Sequence, residues 1–296
     1  MIVDNQLTAV ITSYNQGEMI SEALQSVLNQ TILPEKIIIV DDGSTDEKSV
    51  AILNKIEQTN YEVKVVIIRQ ENCGVSAARN CGISKATTPY VLVLDGDDKL
   101  DETYVEKTTE VIRSDRSLVA ISSWMRCFGF IDSEVHPEGG RIQAFLSHNC
   151  CPATHILKKT AWEICGGYDE NMKEGFEDWD FFISMLETET DACIEVIKEP
   201  LILYRTAAAS SNVRSMDKRI ELMRYLIQKH KSSYEKNVEE VVLGVEQISI
   251  NRLFGWESEM VYHENLSEES KAFLKNPTYG DGGMAAAVRV KSYKKN

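Results

Sequence analysis

Short apolar runs and segments with helical spacing alternate along the first third of the chain. The runs are rich in Val, Ile and Leu and predict strands at residues 7–14, 36–40, 62–69 and 90–95. The segments between them predict helices at about residues 18–29, 47–59 and 77–86. Strands that alternate with helices indicate βαβ units and a mostly parallel sheet. Because the first three runs do not alternate cleanly with polar residues, we expect those strands to be covered on both faces.

The pattern loosens after about residue 117, where the strand-like pieces become shorter. Apolar spacing then predicts helices at about residues 216–232 and 238–254. Residues 276–296 combine turn signals with a basic end, and we expect a flexible tail there. Earlier in the chain, Ser44 followed by Glu47 matches a capping box and predicts a helix start.

Domain boundaries follow from this change of pattern. A chain of 296 residues is long enough to bury a real core in one large domain or two modest ones. We predict one domain over residues 1–215, with one half at about residues 1–116 and the other at about residues 117–215. A helical C-terminal extension and tail are predicted over residues 216–296.

Net charge and hydropathy argue against two classes of partner, nucleic acid and a membrane-spanning environment. The chain carries 46 acidic and 32 basic side chains, for a formal net charge of −14. Affinity for a phosphate backbone depends on Lys and Arg, so nucleic acid is not an expected partner. No stretch approaches the roughly 20 apolar residues that span a bilayer, and the N-terminus lacks a signal-peptide pattern, so we expect a cytoplasmic location. The seven cysteines are scattered without CxxC spacing, which favours reduced structural thiols.

Two predicted strands end in carboxylates. Asp41 and Asp42 follow one strand, and Asp95, Asp97 and Asp98 follow another. The carboxyl ends of parallel strands are where open α/β sheets bind ligands. Carboxylate oxygens suit Mg²⁺ or Mn²⁺, which keep open positions for substrate phosphates. The alternative for both groups is a turn that is rich in Asp because Asp suits turns.

A third acidic group, Glu177, Asp178 and Asp180, precedes an apolar helical pattern. A general base needs a carboxylate held at such a rim, although acids in a first helical turn are also stabilised by the helix dipole alone. The Trp179 ring can stack on a sugar face or fill the core, and the core is the stronger expectation. Arg79 can meet a phosphate or one of these acids, or lie on a solvated helix face.

Five segments, taken in order, resemble the family-2 glycosyltransferases of GT-A fold. They are ITSYNQG, VDDGS, ENCGVSAARNCGI, LDGDD and GGYDENMKEGFEDWDFF, and they cover residues from about 7 to about 205. The resemblance implies an α/β protein with a mostly parallel central sheet flanked by helices, in which a Rossmann-like nucleotide-binding half joins an acceptor half. It also implies an inverting enzyme that uses a nucleoside-diphosphate sugar and Mn²⁺ or Mg²⁺.

The resemblance further implies roles for single residues. Thr12 and Tyr14 would lie beside the donor nucleotide, one or both of Asp41 and Asp42 would contact the base, and Asp95 would contact the ribose. Arg79 is grouped with these donor-binding residues, Asp97 would be the metal ligand and Asp178 the catalytic base. Arg205 would lie near the diphosphate, with Glu177 and Trp179 in the diphosphate or acceptor region.

One position departs from the family pattern. Many members carry a His two residues after the Tyr-Arg pair, whereas this chain has Ala207 there. Ala cannot coordinate a metal, so either a cation relies on Asp97, phosphate and water, or another group closes in.

The expected function is therefore inverting transfer of a sugar, with UDP as the expected nucleotide, to a hydroxyl of a polysaccharide, glycolipid or glycoprotein acceptor. Alternatives are a catalytically inactive sugar-nucleotide binding protein of the same fold and a sugar nucleotidyltransferase. In a phosphorelay receiver domain the acid pair follows the first strand. In this chain Asp41 and Asp42 follow the second predicted strand, so that class of protein is excluded. The basic residues at 289–295 suggest contact with a membrane surface at its inner face, and the oligomeric state stays open.

Overall fold

The computed structural model describes residues 6–207, 215–263, 265–278 and 282–293. The strands are β1 (Leu7–Ser13), β2 (Lys36–Asp41), β3 (Lys64–Arg69), β4 (Tyr90–Asp95), β5 (Lys99–Leu100), β6 (Leu118–Gly129), β7 (Ser133–Val135), β8 (His155–Lys158) and β9 (Cys193–Thr206). The helices up to residue 236 are α1 (Met19–Leu28), α2 (Glu47–Gln58), α3 (Val75–Ser84), α4 (Tyr104–Ser114), α5 (Ile142–Phe145), α6 (Lys159–Cys165), α7 (Glu177–Leu186), α8 (Arg219–Lys229) and α9 (Lys231–Lys236). Three more follow, namely α10 (Val238–Tyr262), α11 (Glu268–Lys275) and α12 (Gly283–Tyr293).

The strands named above form one sheet, with the order β3-β2-β1-β4-β8-β6-β9-β5 and with β7 paired to β6. The first four strands are parallel to one another, as the alternation of strands and helices predicts. Beyond β4 the pairing is mixed, because β8 runs antiparallel to both of its neighbours while β6 and β9 are parallel. The predicted α/β fold is confirmed, and its parallel part coincides with the half predicted to bind the nucleotide.

Burial explains the apolar runs. Every residue of β1 is buried, and so are all residues of β2 after Lys36, because helices cover both faces of the sheet there. In contrast, β3 has half-buried and exposed side chains. The expectation of two covered faces is therefore wrong for β3, which lies at the edge of the sheet.

The start of α2 corrects the predicted capping box. Asp46, not Ser44, is the N-cap, and its carboxylate accepts a hydrogen bond from the Ser49 N–H at 2.8 Å. The Ser44 hydroxyl instead accepts a hydrogen bond from the backbone N–H of Asn15 at 2.9 Å. Ser44 therefore joins the loops that follow β1 and β2 rather than capping a helix.

The C-terminal region corrects one further expectation. The chain forms two units, Met1–Lys236 and Asn237–Asn296, and the domain boundary at residue 215 stays a prediction. Within the second unit, the expected flexible tail is a helix over Gly283–Tyr293, and its Arg289 pairs with Glu257 of α10. Of the basic stretch proposed for membrane contact, residues 294 and 295 lie outside the described residues. None of the helices described here has the length and apolar composition needed to cross a bilayer.

Candidate functional site

Three strand ends meet at one edge of the sheet. Parallel pairing puts Thr12 of β1 directly beside Asp95 of β4, and Ser13 beside Asp41 of β2. The Thr12 hydroxyl donates a hydrogen bond to Asp95 Oδ1 at 3.1 Å. The two acid-tipped strands, β2 and β4, therefore end in one crevice at the carboxyl edge of the sheet.

The turn after β4 lies against β1, and this position requires glycine. The Gly96 N–H donates to the Thr12 carbonyl at 2.9 Å, and a Cβ at position 96 would lie 2.5 Å from that oxygen. Asp98 accepts a hydrogen bond from the Arg205 N–H at 2.8 Å, and Arg205 Nε donates to the Asp97 carbonyl at 2.8 Å. The turn is thus held by a backbone hydrogen bond to β1 on one side and by two side chain–backbone hydrogen bonds with Arg205 on the other, which places Arg205 next to Asp97.

Arg79 of α3 lies at the centre of the crevice and is only 1% exposed. Its Nη2 donates to both carboxylate oxygens of Asp95, at 2.9 and 3.0 Å. Its Nη1 donates to Asp178 Oδ1 at 2.5 Å and lies 3.7 Å from Glu177 Oε1. The sequence left open whether Arg79 meets a phosphate, pairs with acids or lies on a solvated helix face. The structure shows that Arg79 pairs with acids. The guanidinium is buried between carboxylates, and the donor-binding role of Arg79 stays a prediction.

Burial raises the pKa of three carboxyl groups in or beside the crevice, those of Asp97, Asp98 and Asp178. Burial raises the pKa of Asp178 to about 7, with Glu177 and Asp95 adding to the rise while Arg79 opposes it. Burial and the neighbouring Asp95 raise the pKa of Asp97 to about 6. Raised pKa values in a cleft are characteristic of functional groups, because catalytic acids and bases need pKa values close to the working pH.

The residues at Asp97 fit a cation held by few protein ligands. No described side chain donates a hydrogen bond to the Asp97 carboxylate, so its oxygens are available to a ligand. Its raised pKa means that a positive charge nearby would be favourable. Within the described residues, no group of three or more His, Cys, Asp or Glu is arranged to hold a metal. A cation here would therefore depend on Asp97 together with phosphate and water oxygens.

Asn15 is a crevice residue that the sequence analysis missed. Its backbone has φ of 52°, in the left-handed region where Asn is enriched, and its Oδ1 accepts hydrogen bonds from the N–H groups of Thr45 at 2.8 Å and Asp46 at 3.2 Å. Asn15 thereby joins the loops that follow β1 and β2. The Asn-Gln-Gly turn after a strand was the available signal. Tyr14, next to it, has a side chain that is 47% exposed at the rim.

The acid pair after β2 separates into two different environments. The Asp42 carboxylate accepts hydrogen bonds from Gln70 Nε2 at 2.7 Å and from the N–H groups of Cys73 and Gly74, both at 2.9 Å. Asp42 therefore holds the loop that leads into α3. Among the described residues, the Asp41 carboxylate accepts one hydrogen bond, from the Ser44 N–H to Oδ1 at 3.0 Å, which leaves Oδ2 for a ligand.

Trp179 belongs to the core. Its ring is buried, its Nε1 donates to the Phe145 carbonyl at 2.6 Å, and its centroid lies 5.0 Å from that of Phe176. The core alternative from the sequence is therefore the one that the structure shows, and the assignment of Trp179 to the diphosphate or acceptor region stays a prediction. A stacking role was suggested by residue type alone, which does not decide the direction of a side chain.

Comparison with known proteins decides the family. The family model described as "Glycosyl transferase family 2" matches residues 8–166, which is more than half of the chain. The chain belongs to this family. The match contains Thr12, Asp41, Arg79 and Asp97, whereas Asp178 lies beyond its end.

Two curated relatives of this glycosyltransferase are much longer proteins. The chain is 32% identical over 134 residues to the glycosyltransferase GlyA of Streptococcus pneumoniae. The aligned residues cover 45% of this chain and 18% of GlyA. The chain is 27% identical over 192 residues to a chondroitin synthase of Pasteurella multocida, with 60% of this chain and 18% of that protein covered. The chain thus spans less than a fifth of the length of these relatives.

Solved structures confirm the fold. Residues 1–349 of S. aureus TarS, in complex with UDP-GlcNAc, match this glycosyltransferase with a TM-score of 0.63 and 14% identity, covering 97% of this chain and 83% of that one. The same TarS segment with UDP matches with a TM-score of 0.61 and 16% identity, covering 97% and 82% of the two chains. At these identities the likeness establishes the GT-A fold and nothing further.

Proposed function

We propose that this glycosyltransferase transfers a sugar from a UDP-sugar to an acceptor hydroxyl with inversion of the anomeric centre. The observation that carries the proposal is the crevice in which Arg79 joins the strand-end Asp95 to Asp178 at the start of α7. The UDP and UDP-GlcNAc complexes of TarS support a uridine nucleotide. The chondroitin and hyaluronan synthases among the relatives support a carbohydrate acceptor, as in the synthesis of a surface polysaccharide.

The donor would occupy the crevice between the loops after β1, β2 and β4. Asp41 has an unused carboxylate oxygen and is the better candidate for a hydrogen bond to the base, because Asp42 is occupied by the loop at 70–74. Asp95 would contact the ribose with its oxygens already oriented by Thr12 and Arg79. Arg205, beside Asp97, would face the diphosphate.

Asp178 would act as the general base. Its Oδ1 is held by Arg79, which leaves Oδ2 to accept the proton of the acceptor hydroxyl. A base works best when its pKa is close to the working pH, and burial raises the pKa of Asp178 to about 7. As the proton moves to Asp178, the acceptor oxygen forms a bond to the anomeric carbon and the bond from that carbon to the diphosphate breaks.

A divalent cation fits this arrangement at Asp97. When bound, Mn²⁺ or Mg²⁺ supplies positive charge that offsets the charge of the diphosphate. Asp97 would hold the ion with one carboxylate, and Arg205 would add a second positive charge nearby. Ala207, which is exposed just after β9, leaves the ion without a His ligand from this position.

A thermal-shift screen tests the proposal, because a ligand that binds only the folded state raises the melting temperature. UDP-, GDP-, TDP- and CMP-sugars are each tested with and without Mn²⁺, using the wild type, Asp97→Ala and the control Asp132→Ala. Asp132 is an acid with an 80% exposed side chain. We expect a Mn²⁺-dependent shift with UDP-sugars that Asp97→Ala loses and Asp132→Ala keeps. The absence of a shift with every UDP-sugar would contradict the proposal.

A further inference from the structure

A second charged cluster lies on the other side of α7, outside the crevice. Asp180 is fully buried; its Oδ1 lies 2.9 Å from His230 Nε2 and its Oδ2 accepts a hydrogen bond from Lys229 Nζ at 2.7 Å. His230 Nδ1 lies 2.9 Å from Glu187 Oε2, and Lys229 Nζ also donates to Asp169 Oδ2 at 2.8 Å. The proposed reaction uses none of these side chains.

The geometry requires a charged His230. Both of its ring nitrogens lie within hydrogen-bonding distance of a carboxylate oxygen, and an ionised carboxylate can only accept. Both nitrogens must therefore donate, as they do only in the imidazolium. Two cations, Lys229 and His230, thus bind the buried Asp180 and tie the end of α8 to α7.

The first turn of α7 is fastened from three directions. Successive residues of a helix point about 100° apart, so Asp178, Trp179 and Asp180 project in three directions. Asp178 is held by Arg79 of α3, and Trp179 by a carbonyl of α5. Asp180 is held by the end of α8.

We propose that Asp180, with Lys229 and His230, positions Asp178 for proton removal by fixing the first turn of α7. The inference rests on the proposed function, in which Asp178 is the base. These three are positioning residues, since none of them lies in the donor crevice. The segment before α7 includes Gly175 and Phe176, both with positive φ, so the turn follows an irregular backbone and depends on side-chain anchors. A displacement of about 1 Å at a reacting group can lower a rate by about 100-fold.

Lys229 is the best position to test, because its side chain is 33% exposed and His230 still contacts Asp180 when Lys229 is replaced. The test compares Lys229→Met, Lys229→Arg and the control Lys231→Met, whose lysine is 72% exposed and pairs only with Glu235 among the described residues. UDP release from the UDP-sugar gives kcat and donor KM, and melting temperature and circular dichroism report folding.

We expect Lys229→Met to lower kcat about tenfold or more, with donor KM within about twofold of the wild type. Lys229→Arg, which can still bond both carboxylates, should restore most of kcat, and Lys231→Met should match the wild type. A Lys229→Met variant with unchanged kcat and a lower melting temperature would show that the cluster only stabilises the fold. A rise in KM equal to the fall in kcat would also overturn the inference, because it would mean that the whole site had loosened.

Asp178→Asn in the same series separates this inference from the proposed function. If Asp178→Asn is impaired and Lys229→Met is not, only the positioning role fails. If Asp178→Asn turns over normally, Asp178 is not the base and both proposals fail.

Discussion

The two charged clusters on either side of α7 contain the same kinds of side chain but pair them differently. In the crevice, the single guanidinium of Arg79 faces three carboxylates, and burial raises the pKa of Asp178 to about 7. Behind the helix, the buried Asp180 has two cationic partners, Lys229 and His230. The crevice therefore has an excess of acid, whereas the other cluster is close to balanced.

This difference in pairing distinguishes a cluster suited to catalysis from a cluster suited to holding the helices together. A buried carboxylate without enough partners is costly, so it persists where a ligand or a reaction needs it. A buried carboxylate with full pairing holds helices in a defined arrangement but has no oxygen left for a substrate. The comparison makes predictions that differ for the two sides of the same helix.

The largest expected effect is that of removing the base. Asp178→Asn should lower turnover by about 10²–10⁴, the range for a positioned general base, while the donor thermal shift persists. UDP release measures the turnover, and Asp191→Asn, at an exposed acid after α7, is the control. Unchanged turnover in Asp178→Asn would mean that the crevice cluster, like the Asp180 cluster, does not supply the catalytic base.

Replacement of Arg79, the buried guanidinium of the crevice, should lower the free energy of unfolding. Arg79→Met leaves Asp95 and Asp178 without their shared partner, and breaking a buried pair typically costs about 3–5 kcal/mol in the free energy of unfolding. Arg69→Met removes a surface ion pair with Glu57 and should cost at most about 1 kcal/mol. Urea unfolding compares the two variants, and equal costs would show that Arg79 is not buried between charges in solution.

The pH dependence of turnover tests the raised pKa of Asp178. A base acts in its deprotonated form, so kcat should be near its maximum above about pH 7 and fall about tenfold per pH unit below it. The measurement is a kcat profile from about pH 5 to about pH 9. A profile that stays flat down to about pH 5 would mean that Asp178 keeps the acidity of an ordinary exposed carboxyl group.

The smallest expected effect concerns the paired cluster. Burial lowers the pKa of His230, but its hydrogen bonds to Asp180 and Glu187 outweigh this and raise the pKa above its usual value. A raised folded pKa adds stability that is complete below the unfolded pKa of about 6.5 and is lost as pH rises through the folded pKa.

His230→Asn should therefore destabilise the protein by about 1.5 kcal/mol more at low pH than at high pH, the size of a hydrogen bond to a charged group. Urea unfolding of the wild type and the variant at about pH 5.5 and about pH 9 measures the difference. A difference that does not change with pH would show that His230 is neutral in the folded protein.

The sequence alone determined the parallel half of the sheet and the position of the crevice. The strands and helices up to residue 95 lie within two residues of their predicted ends, because apolar periodicity is a local property of the chain. The acids at the ends of β2 and β4 were found from the same pattern, since parallel strands end at one edge. The five segments indicated the family for the same reason, because each is a short local motif.

Only the tertiary structure decided which atoms meet. Arg79 and Asp178 are 99 residues apart in sequence, and no local pattern states that they pair. The core position of Trp179, the separation of Asp41 from Asp42 and the anchoring of Asp180 by α8 depend equally on distant partners. Hydrogen-bond pairing and burial depend on the whole packed chain. They decide which carboxylates remain available for chemistry, and residue type and spacing cannot specify this.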